Sequence, residues 1–244
     1  KQVAVKRLKD STASDDFMRE ADIMGTLNNP CILRIYGLVQ DKSCLMMVQE
    51  LMICSILEKL WNSPNEVTEN HLKLWSSQIA LGMQHMEEQK IVHRDLAARN
   101  VLLASMSQIK ISDFGLSRST DAFTNAYTQT TEGKIPIKWY SPESIEHLKF
   151  TSKSDVWSYG VTLWEMFSYG DQPYGNMNGS EVYMYIQSGQ RLQRPPLCPK
   201  NTYKCMLQCW EWEEEKRPTF RELNQFFQND NDYQKTLTVL KSFR

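Results

Sequence analysis

The chain has 244 residues, with 28 basic and 29 acidic side chains and a formal net charge of -1 at pH 7. Such a balance gives no reason to expect nucleic acid or a polybasic contact with a membrane, and the length buries a substantial core in no more than two tightly joined lobes. Six cysteines, at positions 31, 44, 54, 198, 205 and 209, show no Cys-x-x-Cys spacing, so buried free thiols in a reducing compartment are the default over a metal or disulfide role. No apolar run reaches transmembrane length, and the start carries no signal-peptide pattern.

Val3-Ala4-Val5-Lys6 alternates as a strand, and Lys1 opens directly inside it. Alone, Lys6 reads as a solvated surface lysine. Ser11 to Asp16 is turn-like, with Ser14 or Asp15 as a helix cap. Phe17, Glu20, Ala21, Met24 and Leu27 then recur at helical spacing up to Asn28-Asn29-Pro30. Glu20 lies on the apolar side, where a carboxylate is costly unless paired; Lys6 is the available cation. Cys31 to Val39 and Leu45 to Gln49 read as strands joined by a turn at Gln40-Asp41-Lys42-Ser43. Residues 51–54 connect this small sheet to the remainder of the chain. Ser55 to Trp61 is a short helix, and a long one starts at Thr68 with Leu72, Trp75, Ile79, Met83 and Met86 as its core stripe.

His93-Arg94-Asp95-Leu96-Ala97-Ala98-Arg99-Asn100 comes next, followed by Asp113-Phe114-Gly115. A lone His-Arg-Asp is weak, because Arg-Asp is usually a surface pair. Here the polar groups are framed by Ile91-Val92, Val101-Leu102-Leu103 and Ile109-Lys110-Ile111, strands that would hold the loops rigidly. One carboxylate to orient a hydroxyl, with an amide and a second carboxylate to hold divalent metal, is the parts list for phosphoryl transfer. Ser117 to Glu132 is polar and structureless in pattern, anchored only by Phe123 and Tyr127, and a segment of that kind is commonly functional or mobile. The neighbours of Tyr127 argue for its exposure. Pro142 and Glu143 begin a short helix. Lys153 to Tyr169 is apolar on nearly every side and should be the buried spine of the larger lobe, with Asp155 placed to receive backbone N–H groups. Shorter helices cover Ser180 to Ser188, Tyr203 to Trp210 and Phe220 to Phe227; periodicity is weak over residues 230–244.

With these motifs in place, the chain resembles the eukaryotic protein kinase catalytic domain almost end to end. The resemblance implies an α+β, bilobal fold: a partial β-rich lobe over residues 1–50, a hinge at 51–54, a mainly helical lobe over 55–229 and a tail at 230–244. It implies that Lys6 holds the α- and β-phosphates of ATP, that Glu20 pairs with it, that Asp95 is the catalytic base, and that Asn100 and Asp113 hold Mg2+, with Mn2+ as an alternative. Ala4 and Leu102 would sandwich the adenine, while Gln49, Glu50 and Met52 line the back and hinge of the nucleotide site. Glu143 would pair with Arg217 structurally, and Asp155 would brace the catalytic loop. Met24, Ile35, His93 and Phe114 resemble the apolar column of the active state.

Ala97 stands where serine/threonine kinases of this family carry lysine. With Arg99 and Ile135-Pro136-Ile137-Lys138-Trp139 this is the tyrosine-kinase pattern, a platform set back for a longer phenol. Arg94 would be an unbalanced cation until an anion arrives, and phosphorylated Tyr127 could supply it. Lys138-Trp139-Tyr140 and Ser168-Tyr169-Gly170, among other segments, are most similar to the spleen tyrosine kinase family and its invertebrate relatives. That implies a cytoplasmic signalling enzyme acting on protein tyrosines, SH2 or other regulatory domains in the full-length chain, and recruitment to the inner face of the plasma membrane. Three departures stand out. The glycine-rich loop expected before Val3 is absent, which reads as truncation; Gln49 replaces the usual Thr or Met; and paired activation-loop tyrosines are reduced to Tyr127. The competing reading is a pseudokinase or inactive fragment acting as a scaffold, against which Lys6, Glu20, Asp95, Asn100 and Asp113 are all retained.

Overall fold

The computed structural model describes residues 2–8, 13–41, 44–122, 124–129, 136–229 and 235–241. Residues 42–43 of the expected turn, Phe123 and Ile135 lie outside these.

The N-terminal lobe is an antiparallel sheet with a helix packed on it. Strands β1 (Val3–Arg7), β2 (Ile35–Asp41) and β3 (Cys44–Glu50) are ordered β1-β3-β2. β1 is therefore an edge strand, and Val3 and Val5 are exposed on it. Helix α1 (Ser14–Thr26) buries Phe17, Glu20, Ala21 and Met24, the face its periodicity predicts. Its cap differs from expectation. The N-cap is Ala13, without a side-chain bond, and Ser14 and Asp15 already lie inside the helix. Asp15 and Asp16 in the first turn act through charge on the exposed N–H groups instead. The strand expected from Cys31 begins only at Ile35. The intervening segment bonds to the other lobe: Ile111 N–H donates to Cys31 O (2.8 Å), and Leu33 N–H to Ile111 O (2.9 Å).

The connection at Leu51–Ile53 is followed by β4 (Cys54–Ser55). In α2 (Ile56–Asn62) and α3 (Glu69–Glu88) the caps are readable from sequence. Ser55 and Thr68 each form a reciprocal capping box, with Glu58 and His71. The whole predicted α3 stripe is buried. Next come β5 (Ile91–Val92), β6 (Val101–Ser105) and β7 (Gln108–Ile111), the last two pairing with Val101 opposite Ile111. The segment expected to be structureless contains β8 (Arg118–Ser119), paired with β5, and β9 (Tyr127–Thr128). Helix α4 (Pro142–His147) leads into β10 (Lys149–Phe150), the partner of β9. Helix α5 (Ser152–Phe167) is buried over nearly all its length, as predicted. Helices α6 (Gly179–Gln187), α7 (Lys200–Cys209) and α8 (Phe220–Gln228) complete the lobe.

The C-terminal α9 (Thr236–Lys241) is ordered by packing rather than by its own pattern. Buried Thr236 donates to Ser77 Oγ (2.8 Å), which donates to Asn224 Oδ1 (3.0 Å), and Val239 is buried beside them. The six cysteines are free thiols, of which Cys44 and Cys54 are only half-buried. Among the described residues no helix is long and apolar enough to cross a membrane.

Candidate active site

The site forms where the two lobes meet, and hairpin geometry explains half of it. Pairing of Val101 with Ile111 sets Asn100 opposite Ser112 at one end of the β6–β7 hairpin. Ser112 donates to Asn100 O from both its N–H (2.9 Å) and its hydroxyl (2.8 Å). Asp113 therefore follows directly beside Asn100. The Asn100 amide nitrogen is committed to Asp95, reaching its main-chain oxygen at 2.7 Å and Oδ2 at 2.8 Å. Arg99 bonds the other Asp95 oxygen, and its guanidinium lies 4.5 Å from the Trp139 ring centroid. The carboxylate is thus held by two donors on the turn C-terminal to it.

Two backbones here sit in the left-handed region: Arg94 at φ 70° and Asp113 at φ 61°. Neither is glycine, and such conformations persist where the surroundings over-determine them. The surroundings of Arg94 are specific. Asp155 Oδ2 and Oδ1 accept from His93 N–H (2.8 Å) and Arg94 N–H (3.0 Å). The fully buried His93 ring accepts from Asp95 N–H on Nδ1 (3.2 Å) and, with its proton on Nε2, donates to Ser112 O (3.1 Å). Phe114 packs on that ring at 5.3 Å. Met24, His93 and Phe114 are all buried, and Ile35 packs against the same core.

From the other lobe, Lys6 Nζ meets both oxygens of the Glu20 carboxylate, at 2.7 and 2.8 Å. Glu20 is buried and Lys6 exposed toward the cleft, which is the pairing that burial of a carboxylate demanded. The Asp113-Phe114-Gly115 turn comes up to this pair. A methyl placed on Gly115 would lie 3.5 Å from Asp113 Oδ1 and 3.7 Å from Glu20 Oε2. Lys6, Glu20 and Asp113 thus share one end of the cleft.

Several predicted residues show roles that the sequence concealed. The Gln49 amide points at sulfur, donating to Met47 Sδ (2.8 Å) and Met24 Sδ (3.4 Å), between β3 and α1. The Glu50 carboxylate is engaged with buried Lys110 at 3.0 Å. Ala4, Met52 and Leu102 are half-buried on β1, the connection and β6. Tyr127 is half-buried rather than exposed: its ring lies under Arg94 (4.8 Å) and near Phe150 (6.5 Å). Burial lowers the Arg94 pKa against the opposing influence of Tyr140, Tyr127 and Asp155, and its guanidinium donates to neutral acceptors, Leu116 O (3.0 Å) and Gln129 Oε1. Its Nε has no partner among the described residues.

Sequence reasoning passed over Glu165. It is buried in α5, accepts Ala98 N–H (3.0 Å) and Trp139 Nε1–H (2.9 Å), and burial pushes its carboxyl up to about 7 against those bonds and Arg99. A signal was present, since a charged residue midway along an all-round apolar helix requires buried partners.

Residues 1–227 match the profile of a family described as "Protein tyrosine and serine/threonine kinase". The chain belongs to that family. It is 48% identical over 236 residues to the tyrosine-protein kinase HTK16 of Hydra vulgaris, covering 95% of this chain and 31% of that protein. It is 47% identical over 236 residues to the tyrosine-protein kinase Shark of Drosophila melanogaster, covering 96% of this chain and 25% of that one. Over 231 residues it is 46% identical to the tyrosine-protein kinase ZAP-70 of Mus musculus, covering 93% and 37%. The chain thus spans between a quarter and somewhat over a third of the length of these relatives. As a kinase domain it is closely related to the ZAP-70 and spleen tyrosine kinase type.

Proposed function

We propose that the chain is the catalytic domain of a protein-tyrosine kinase that transfers the γ-phosphoryl group of ATP to the phenol of a protein substrate. The observation that carries the acceptor class is Arg99, which joins the Asp95 carboxylate to the Trp139 platform. That arrangement sets the base beside a surface suited to a ring rather than to a short hydroxyl. Asp95 orients the phenol oxygen and takes its proton as the oxygen–phosphorus bond forms and the bond to the bridging oxygen of ADP breaks. Lys6, fixed by Glu20, positions the phosphates. The described residues fit a divalent cation: Asp113 is exposed at the cleft, and the Asn100 amide has spent its nitrogen on Asp95. Asp113 and Asn100 would hold Mg2+ or Mn2+, which supplies charge neutralisation for the transferring phosphoryl group. In the whole protein this activity would serve cytoplasmic signalling, with SH2 or other regulatory domains as neighbours.

Phosphorylation of a glutamate–tyrosine copolymer with magnesium ATP tests the reading, with Asp113→Ala as control. Phosphotyrosine that the control fails to make is the expected result. Phosphoserine on a mixed peptide set would overturn the acceptor class, and inactivity of both proteins would favour a scaffold.

Tyr127 would act as a switch through Arg94. A phosphate there places a dianion against a buried cation whose guanidinium bonds go to neutral acceptors, with Arg118 also near the ring (5.9 Å). Each charge-assisted bond is worth about 1.5–3 kcal/mol, so one of them shifts the equilibrium toward the ordered loop by about tenfold or more. Tyr127→Phe keeps the ring under Arg94, and we expect it to abolish the acceleration seen after preincubation with ATP. The same acceleration in the variant would reject the switch.

A further inference from the structure

Beyond Ser154, helix α5 is apolar except for a stripe at Asp155, Ser158, Thr162 and Glu165, spaced three, four and three residues apart and so along one face. Each member holds the main chain or an indole of the site. Asp155 takes the His93 and Arg94 N–H groups, Ser158 Oγ donates to Trp139 O (2.7 Å), and Thr162 Oγ1, which donates to Ser158 O of its own helix at 2.8 Å, also lies 3.3 Å from Leu96 O. Glu165 differs from the others in reaching two segments with one atom. Its Oε2 accepts both the Ala98 N–H of the catalytic loop and the Trp139 Nε1–H of the platform. A single oxygen with two donors fixes the separation of those donors to within hydrogen-bond tolerance. Arg99 then closes the ring, bonded to Asp95 and seated on Trp139.

We propose that Glu165 is the positioning residue that sets the acceptor platform against the catalytic base. The inference rests on the kinase reading above and deepens it. Glu165 need not touch substrate; it acts through Ala98 and Trp139. Its influence should fall chiefly on the acceptor side. Lys6 and Glu20 are held by β1 and α1, with no bond to this network among the described residues, and the link to Asn100 runs only through Asp95, which Asn100 also holds by the main chain.

The test compares steady-state constants for peptide and for ATP in the protein at its natural length. Glu165→Met removes both acceptors at similar volume. Trp139→Phe removes the Nε1 donor with part of the indole while keeping a ring under Arg99 and leaving Glu165 in place, so it provides a second probe should the first variant not fold. A misplaced acceptor costs between about ten- and a hundredfold, so both variants should lose that much kcat/KM for the peptide. The KM for ATP should stay within about twofold of wild type. Glu165→Gln, which keeps an oxygen acceptor, should recover most of the loss, and the double variant should be no worse than the poorer single one. Peptide kcat/KM unchanged in folded variants would overturn the proposal. So would equal proportional losses for peptide and ATP, which mark a general loss of fold. Wild-type protein without tyrosine phosphorylation would instead remove the kinase reading itself, so the two failures are distinct.

Discussion

Replacing Asp95 by asparagine is expected to lower kcat for tyrosine phosphorylation by about 10²–10⁴-fold, with ADP affinity and melting temperature close to wild type. The substitution is isosteric, so the loop is not emptied. It does convert one of two acceptor oxygens into a donor. One oxygen faces the Asn100 amide and the other faces Arg99, so an asparagine satisfies only one of them. Arg99 is the one to yield, because it is the more exposed. The damage is then confined to proton transfer and acceptor placement. The nucleotide side keeps the Lys6–Glu20 pair. Steady-state kinetics together with calorimetric titration of ADP separate the outcomes. An unchanged kcat would exclude Asp95 as the base, and loss of ADP affinity in parallel would mean that the loop had collapsed.

Much of this arrangement was legible because its signals are local or because an energetic conflict exposed them. The stripe of α3 and the all-round burial of α5 follow from periodicity. The Lys6–Glu20 pair followed from a conflict, a carboxylate on an apolar face, which only a cation could resolve. The same logic applied to Glu165, and to Lys110 between Ile109 and Ile111, would have located their buried partnerships. What stayed hidden depends on partners distant in sequence. β9 exists because Tyr127 lies against Phe150 across a gap of 23 residues, and nothing in Asn125-Ala126-Tyr127-Thr128 announces it. Ile32 bridges to Ile111 of the other lobe, which removes Cys31 to Arg34 from the strand their composition suggests. Order in α9 likewise comes from Ser77 and Asn224, not from its own weak pattern.

The largest stability effect is expected at Arg217, whose side chain is fully buried. It makes a two-point pair with Glu143 at 2.7 and 2.8 Å. It also donates to the carbonyls of Glu211 (2.8 Å), Lys153 (3.0 Å) and Trp212 (3.1 Å), and it lies 5.2 Å from the Trp157 ring. Burial alone would raise the Glu143 carboxyl, but hydrogen bonds and charge from Arg217 outweigh it and hold the group below its ordinary range. A depressed carboxyl contributes stability that is present above its unfolded pKa and is lost as pH falls through the folded one. Arg217→Met keeps the stem and leaves Glu143 buried without its cation, so a loss of about 3–5 kcal/mol is expected at neutral pH. The deficit should begin to shrink above the ordinary carboxylate range, because burial without Arg217 raises the Glu143 carboxyl and protonating it removes the stranded charge. It shrinks further below that range, where wild type loses its own contribution. Denaturant unfolding at several pH values measures this directly. A deficit that stays constant with pH would mean that packing on Trp157 and the three carbonyl bonds, rather than the ion pair, carry the contribution of Arg217.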